Sequence, residues 1–250
     1  MRITILTLFP GMFEGFIKES IVKRAQEKNL VTIELIDLRS FSLNSYGSLD
    51  DRPYGGGAGM LMQVEPIHNA ILGLKTKDER RKVILTSAKG SLFTQEKAQE
   101  YSKQGELVII AGHYEGIDDR ILDYVDDEIS IGDYVLTGGE LPAGIITDAV
   151  VRLLPGALKK PEAVAVESFN VISLDELIKV VGEHEILSTL KHEGKTEITL
   201  LEYPQYTRPE EYDGKRVPEV LLNGNHAEIQ KWRLREAFKN TLKNRPDLLV

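Results

Sequence analysis

Apolar residues along the chain switch repeatedly between two periods. Residues 2–8 (RITILTL) alternate β-branched and aliphatic side chains and stop at Phe9-Pro10, which predicts a buried strand. Over residues 12–28 the spacing becomes helical, with Phe13, Phe16, Ile17, Ile21 and Ala25 on one face. A second strand is predicted at 31–38 (VTIELIDL), and three more at 82–87 (KVILTS), 106–112 (ELVIIAG) and 127–133 (DEISIGD). Helices are predicted over 66–74, 95–104, 117–124 and 140–154, the first with Pro66 in its opening turn. Strands alternating with helices imply an α/β domain with a mainly parallel sheet. Ligands of such sheets sit beyond the carboxyl ends of the strands, where three glycine-bearing loops fall here.

The pattern lapses twice. Residues 40–62 have no period and are rich in Gly and Asp, which predicts a long loop of the kind compact domains keep for function. Residues 161–203 form an expected interdomain linker with an inserted structured segment. Within it Ser173-Leu174-Asp175-Glu176 has capping-box spacing and opens a helix to about Val181. A further helical stretch toward Gly194 and a strand-like TEITLLEY follow. Residues 204–250 start with a turn-rich YPQYTRPEEYDG and end in an amphipathic helix. The expected organisation is an α/β domain over 1–160, the linker over 161–203, and a small helical domain over 204–250.

Composition adds exclusions. With 42% hydrophobic and 28% charged residues among 250, the chain has a globular balance. The absence of cysteine excludes disulfides, thiolate metal sites and a cysteine nucleophile. No stretch approaches the ~20 apolar residues of a membrane span. MRITILTLFPGMF has one basic residue and loses its apolar run at Pro10, so no signal peptide is expected. A soluble, cytoplasmic protein with no membrane partner is the expectation. The net charge of −8 disfavours nucleic acid, but it is unevenly spread. Residues 205–250 hold nine basic and seven acidic groups, a net of +2, leaving −10 for residues 1–204. Lys231, Arg233, Arg235, Lys239, Lys243 and Arg245 in the last helix meet only Glu228 and Glu236. This is either an RNA-facing stripe or a solvated helix surface.

Three loops could carry chemistry. Asp50 to Met60 holds Gly55, Gly56, Gly57 and Gly59, a density that suggests backbone pressed close to something, or else a flexible turn. It lacks the Gly-Lys-Ser/Thr of a phosphate-binding loop. Gly112-His113-Tyr114-Glu115-Gly116 follows an apolar strand, and a carboxylate there can face a cationic ligand. His113 alone reads as a structural histidine as readily as a functional one. Ile131 to Glu140 contains Gly138-Gly139 ahead of a helix; its backbone could read the edge of a planar ring, or form only a tight turn. No HExxH pair or Ser–His constellation accompanies them, and no metal site is expected.

In combination, MRITILTLFPGMF, DDRPYGGGAGMLM, YEGID, SIGDYVLTGGELPA, DAVVRLLPG, YTRPEEY and VPEVLLNGNHAEIQKWRL resemble the bacterial tRNA (guanine-N1)-methyltransferases of the SPOUT superfamily, in order and along nearly the whole chain. The resemblance implies an α/β domain whose C-terminal part forms a deep trefoil knot, plus a helical C-terminal domain. It implies a homodimer with the active site at the subunit interface. S-adenosylmethionine is the implied methyl donor, N1 of guanosine 37 of tRNA the acceptor, and magnesium dependence a further implication. Carried over by motif, the donor pocket comprises Leu85, Thr86, Ser87, Gly112, Tyr114, Glu115, Gly116, Ile131, Gly132, Asp133, Tyr134, Val135, Leu136, Gly138, Gly139 and Pro142. Asp50, Tyr54, Glu202, Arg208, His226, Lys231 and Arg235 are the implied RNA contacts.

Guanine N1 is a poor nucleophile until its proton leaves, so the reaction calls for a carboxylate base and a cation near O6. Arg152 is the implied cation. The family's aspartate base maps onto Glu167, one methylene longer. Other departures are Asn44-Ser45-Tyr46 in place of a basic pair, His113 in place of an arginine, Glu202 in place of an aspartate, and about 27 apparently inserted residues between Phe169 and Pro204. These departures leave a competing expectation: a knotted RNA-binding or regulatory protein that binds S-adenosylmethionine with weak or lost transfer.

Overall fold

A computed structural model describes residues 1–43, 47–74, 80–160 and 167–250. Asn44-Ser45-Tyr46 and the first part of the expected linker, 161–166, lie outside them. The chain divides into two compact units, Met1–Lys159 and Lys160–Val250.

The first unit is built on β1 (Arg2–Thr7), β2 (Thr32–Asp37), a two-residue ladder of β3 (Asp50–Asp51) with β4 (Leu61–Met62), β5 (Arg81–Leu92), β6 (Glu106–Ala111) and β7 (Asp127–Ser130). Five of these form one parallel sheet in the order β2-β1-β6-β5-β7. Every residue of β6 is buried, which is why ELVIIA is a continuous apolar run rather than an alternating one. Ile3, Ile5, Leu107 and Ile109 pack on one face with Val22 and Ala25 of α2 (Ser20–Glu27), and with Ala143, Ile146 and Val150 of α5 (Glu140–Val151). Leu6, Val108 and Ile110 pack on the other with Ile67, Ala70 and Ile71 of α3 (Val64–Gly73). The mainly parallel α/β class expected for this part of the chain is the observed one. Short α1 (Glu14–Ile17) and α4 (Gln95–Ser102) complete the unit.

Three expected elements differ. The helix of residues 12–28 is broken into a 3-10 turn (Pro10–Phe13), α1 and α2. Ser20 at φ +53 interrupts it, and the Gln26 amide donates to the orphaned Ile17 carbonyl at 2.7 Å. The expected helix at 117–124 is a 3-10 segment, Asp119–Tyr124, whose start is fixed by Arg120 N–H donating to the Asp118 carboxylate at 3.0 Å. Strand β5 runs past its predicted end with a bulge: Thr86 and Ser91 both register with Ile129. A Cβ on Gly90 would lie 2.5 Å from the Glu128 and Ile129 backbone, so only glycine lets the bulge close on β7.

The second unit holds antiparallel β8 (Asn170–Ser173) and β9 (Glu197–Leu200), α6 (Leu174–Val181), α7 (Glu185–His192), a β10 (Glu211–Tyr212)–β11 (Lys215–Arg216) hairpin and α8 (His226–Asn244). Ser173 caps α6 by accepting from Glu176 N–H at 3.5 Å, as its spacing predicts. Leu174, Leu177, Leu187 and Leu190 share one core with Ile198, Leu200, Ala237 and Phe238. The structured part of the expected linker therefore packs in the same core as the last helix. The reason is hydrophobic: α6 and α7 each carry one apolar stripe, and α8 supplies the surface that buries it.

Candidate active site

A cavity of about 450 Å³ opens at the carboxyl ends of β5, β6 and β7, a size typical of small-molecule sites. Its walls are the loops after those strands, and tight backbone contacts hold them together. Gly139 N–H donates to Gly112 O at 2.6 Å. A Cβ on Gly139 would lie 2.1 Å from Thr86 Oγ1, 2.6 Å from Gly112 N and 2.9 Å from Ala111 Cα, so this docking requires glycine. Thr86 is itself tied down, its hydroxyl donating to Ile110 O at 3.0 Å. Ser130 Oγ donates to Gly132 O at 3.1 Å and turns the chain out of β7. Gly132, at φ +151, ends that strand earlier than its sequence predicts.

The Gly59–Gln63 segment lies along the loop that follows β6. Met62 N–H donates to Gly116 O at 2.9 Å, Glu115 N–H to Met60 O at 3.2 Å, and Asp118 N–H to Met62 O at 2.9 Å. A Cβ on Gly59 would overlap the Glu115 side chain at 2.2 Å. The long glycine loop is thus not a free surface turn at this end; its last glycine makes room for a carboxylate of the cavity wall. Tyr114 sits at φ +59. Burial, then the Asp50 carboxylate, push its hydroxyl above the usual phenol range, with Arg39 opposing.

All the residues expected to hold the donor line this cavity except Asp133, which is exposed beside it. Among the described residues, the N–H groups of Val135, Leu136 and Gly138 pair with no other backbone group. Of the expected RNA contacts in this unit, Asp50 accepts from Ser48 Oγ at 3.1 Å and Tyr54 is fully exposed. Arg152 caps the end of α5, its N–H donating to Asp148 O at 3.1 Å. The lining residues that sequence reasoning missed include Leu61, Lys89, Ile117, Asp119, Ile121 and Ile129. Lys89 and Asp119 pair at 2.9 Å on the rim. Leu61 and Ile117 come together only through the long-range pairing of Met62 with Ile117, which no local period encodes.

In the second unit Glu167 is half-buried just ahead of β8. Glu202 accepts from Gln205 Nε2 at 3.1 Å, and Arg208 and His226 are exposed. The basic stripe of α8 is largely engaged within the unit. Lys231 pairs with Glu228 at 2.9 Å, Lys239 with Glu236 at 2.7 Å, and Arg245 with Asp247 at 2.6 Å. Arg235 Nε donates to Val180 O at 2.9 Å, and the Arg233 guanidinium lies 4.8 Å from the centre of the Tyr203 ring. Among the described residues no group of three or more His, Asp or Glu forms a metal cage.

Comparison with known proteins adds a direct test of kinship. The family model described as tRNA (Guanine-1)-methyltransferase TrmD matches residues 1–250. A tRNA (guanine-N(1)-)-methyltransferase of Citrifermentans bemidjiense is 48% identical over 250 residues, covering 100% of this chain and 90% of the relative. Those of Geobacillus kaustophilus (47%, with 91% of the relative covered) and Mycoplasmopsis agalactiae (46%, with 97% covered) also align along all of this chain. Matched from end to end by the family model and by relatives near half identical, the chain belongs to the tRNA (guanine-1)-methyltransferase TrmD family.

Proposed function

We propose that this protein is an enzyme that transfers a methyl group from S-adenosylmethionine to N1 of guanosine 37 in tRNA. The observation that carries the reading is the glycine-packed cavity at the ends of β5, β6 and β7, in a chain whose relatives are named tRNA (guanine-N(1)-)-methyltransferases. The cavity fits the donor's chemistry. Unpaired N–H groups of Val135, Leu136 and Gly138 suit an adenine edge, and apolar Leu85, Leu136 and Pro142 suit its ring faces. Glu115 supplies a negative charge for a sulfonium. When bound, S-adenosylmethionine supplies an electrophilic methyl group.

The remaining work belongs to side chains of this chain. Glu167 accepts the N1 proton of guanine, a role worth roughly 10²–10⁴-fold in rate. Arg152 stabilises the negative charge that then spreads toward O6. Arg208, His226, Lys231 and Arg235, with Glu202, contact the RNA, and Asp50 and Tyr54 approach it from the first unit.

The same reading includes a trefoil knot, for which the topology offers support. The chain leaves β6, passes β5 to form β7, and returns to dock Gly139 on Gly112 at the end of β6. A homodimer completing the site at its interface is supported by exposed Leu141 and Ile145, one turn apart on α5, and by exposed Val135 in the preceding loop. A cytoplasmic location agrees with a tRNA substrate, and no helix among the described residues is long and apolar enough to cross a membrane.

Incubation with unmodified tRNA bearing G at position 37 and labelled donor should give incorporation at that base. Glu167→Gln should abolish transfer while donor binding persists. Absence of incorporation by the unaltered protein overturns the proposal; full activity of the variant removes Glu167 from its role.

A further inference from the structure

Behind the cavity wall lies a polar chain that the methyl-transfer reading does not use. The Glu140 carboxylate is 2% exposed at the start of α5, where the positive end of the helix favours it. Its Oε1 accepts from the buried Thr7 hydroxyl at 3.0 Å. A carboxylate can only accept, so the hydroxyl hydrogen points to Glu140 while Thr7 Oγ1 accepts from Phe9 N–H at 2.9 Å. The other oxygen, Oε2, lies 3.7 Å from Nδ1 of His113. That nitrogen is buried without a hydrogen-bond partner, although the imidazole itself lines the cavity.

The surroundings leave little freedom. The His113 ring packs against Phe9, with centroids 4.7 Å apart, and edge-on to Tyr114 at 5.2 Å. Its backbone N–H donates to Met62 Sδ at 3.2 Å. A Cβ on Gly138 would lie 2.4 Å from Glu140 Oε2 and 2.6 Å from His113 Nδ1, so this glycine is what lets the acid and the imidazole face each other. His113 follows Gly112 and Glu140 follows Gly139, the two residues whose backbone contact closes the wall.

We propose that His113 is a positioning residue for the donor pocket, acting through Glu140 and Thr7. Its Nδ1 carries a hydrogen, turned toward the Glu140 carboxylate 3.7 Å away. A buried carboxylate facing one ring nitrogen selects that tautomer, and a buried nitrogen without a partner is costly. The attraction between that N–H and the carboxylate ties the loop after β6 to the start of α5 and helps to hold the Gly112–Gly139 contact in place. The part of the proposal that concerns the donor rests on the methyltransferase reading; the tautomer does not.

Two measurements separate these. In protein labelled with ¹⁵N-histidine, with His113→Asn used for assignment, the His113 ring should show the Nδ1–H pattern without any ligand. An Nε2–H pattern overturns the proposal. In steady-state methylation, His113→Leu should raise KM for S-adenosylmethionine about tenfold with little change in kcat, as removing the polar group that faces a buried carboxylate implies. His113→Asn, whose amide places a donor near the Nδ1 position, should restore most of that loss. An unchanged KM in His113→Leu, or equal impairment in both variants, also overturns the proposal. If the unaltered protein binds neither S-adenosylmethionine nor its demethylated product, the methyltransferase reading falls, while the tautomer stands or falls on its own spectrum.

Discussion

The wall of the cavity and the outer face of α8 were both marked in the sequence by composition, glycine in one and basic residues in the other. They turn out to be committed in opposite ways. At the wall, Gly139, Gly138 and Gly59 each occupy a place where a methyl group would overlap neighbouring atoms at 2.1–2.6 Å. On α8 the lysines at 231 and 239 are exposed and paired with carboxylates three residues earlier on the same helix. Close packing makes the first commitment hard to exchange, most of all at Gly139, where the backbone of Gly112 and Ala111 stands in the way. Exposed ion pairs make the second easily exchanged, because each is worth only about 0.2–1 kcal/mol and RNA phosphate can replace the carboxylate.

The largest expected effect breaks the first half of this contrast. Gly139→Ala keeps an accessible backbone conformation, since φ is −83, and is opposed only by space. Overpacking should cost about 1–3 kcal/mol, divided between stability and donor binding. Thermal unfolding and calorimetry with S-adenosylmethionine check it; wild-type values for both would mean that the wall is soft.

A second test asks whether packing, rather than residue type, decides how firmly charges are held. In the first unit Lys82 bridges Glu100 at 3.0 Å and Asp127 at 3.1 Å, Lys97 holds Glu100 at 2.9 Å, and the buried Tyr101 hydroxyl donates to Asp127 at 2.8 Å. Burial, then Asp127, hold the Tyr101 phenol far above its ordinary value. The stability it contributes is therefore fully present below about pH 10, its unfolded value, and is lost as pH rises further toward the folded one. Tyr101→Phe should cost about 1 kcal/mol at neutral pH. It should also flatten the alkaline decline in stability, as denaturant titrations at pH 8 and pH 10.5 would detect.

The second half of the contrast is sharpened by Lys231→Ala and Lys239→Ala. Each should lower the slope of log affinity for tRNA against log salt by roughly one, with about equal loss for different tRNA sequences. An unchanged slope would place the RNA elsewhere. Smallest of all, Glu228→Gln should leave the thermal unfolding midpoint essentially unchanged, since both partners are substantially exposed and the pair is screened by solvent.

How much of this was legible before the structure follows from the range of each interaction. Strands β1 and β6 were readable as short apolar runs closed by turn residues, and helices α5 and α8 because apolar positions on a helix recur at 3.6 residues. The Ser173 cap was readable because it spans three residues. The motifs also pointed to the glycine-loop part of the cavity lining, somewhat more than half of it, through resemblance rather than through period. The failures have two sources. Ser20 entering positive φ and the 3-10 segment after Asp118 are local backbone choices that an apolar pattern does not encode, whereas the bulge of β5 answers to β7, distant in the chain. The same holds for the second unit, where α6 and α7 appeared to belong to a linker until α8 was seen to bury their apolar stripes.

By itself, then, the amino-acid order determined the α/β class of the first unit, the capped helices of the second and the family to which the chain belongs. Local periodicity and motif order survive without any knowledge of contacts. Only the tertiary structure decided which glycines are indispensable, which cations remain paired on their own helix, and that His113 faces a buried acid 27 residues further along the chain. Those outcomes depend on distances between segments far apart in sequence, and a distance of a few ångströms between such segments has no signature in the order of the residues.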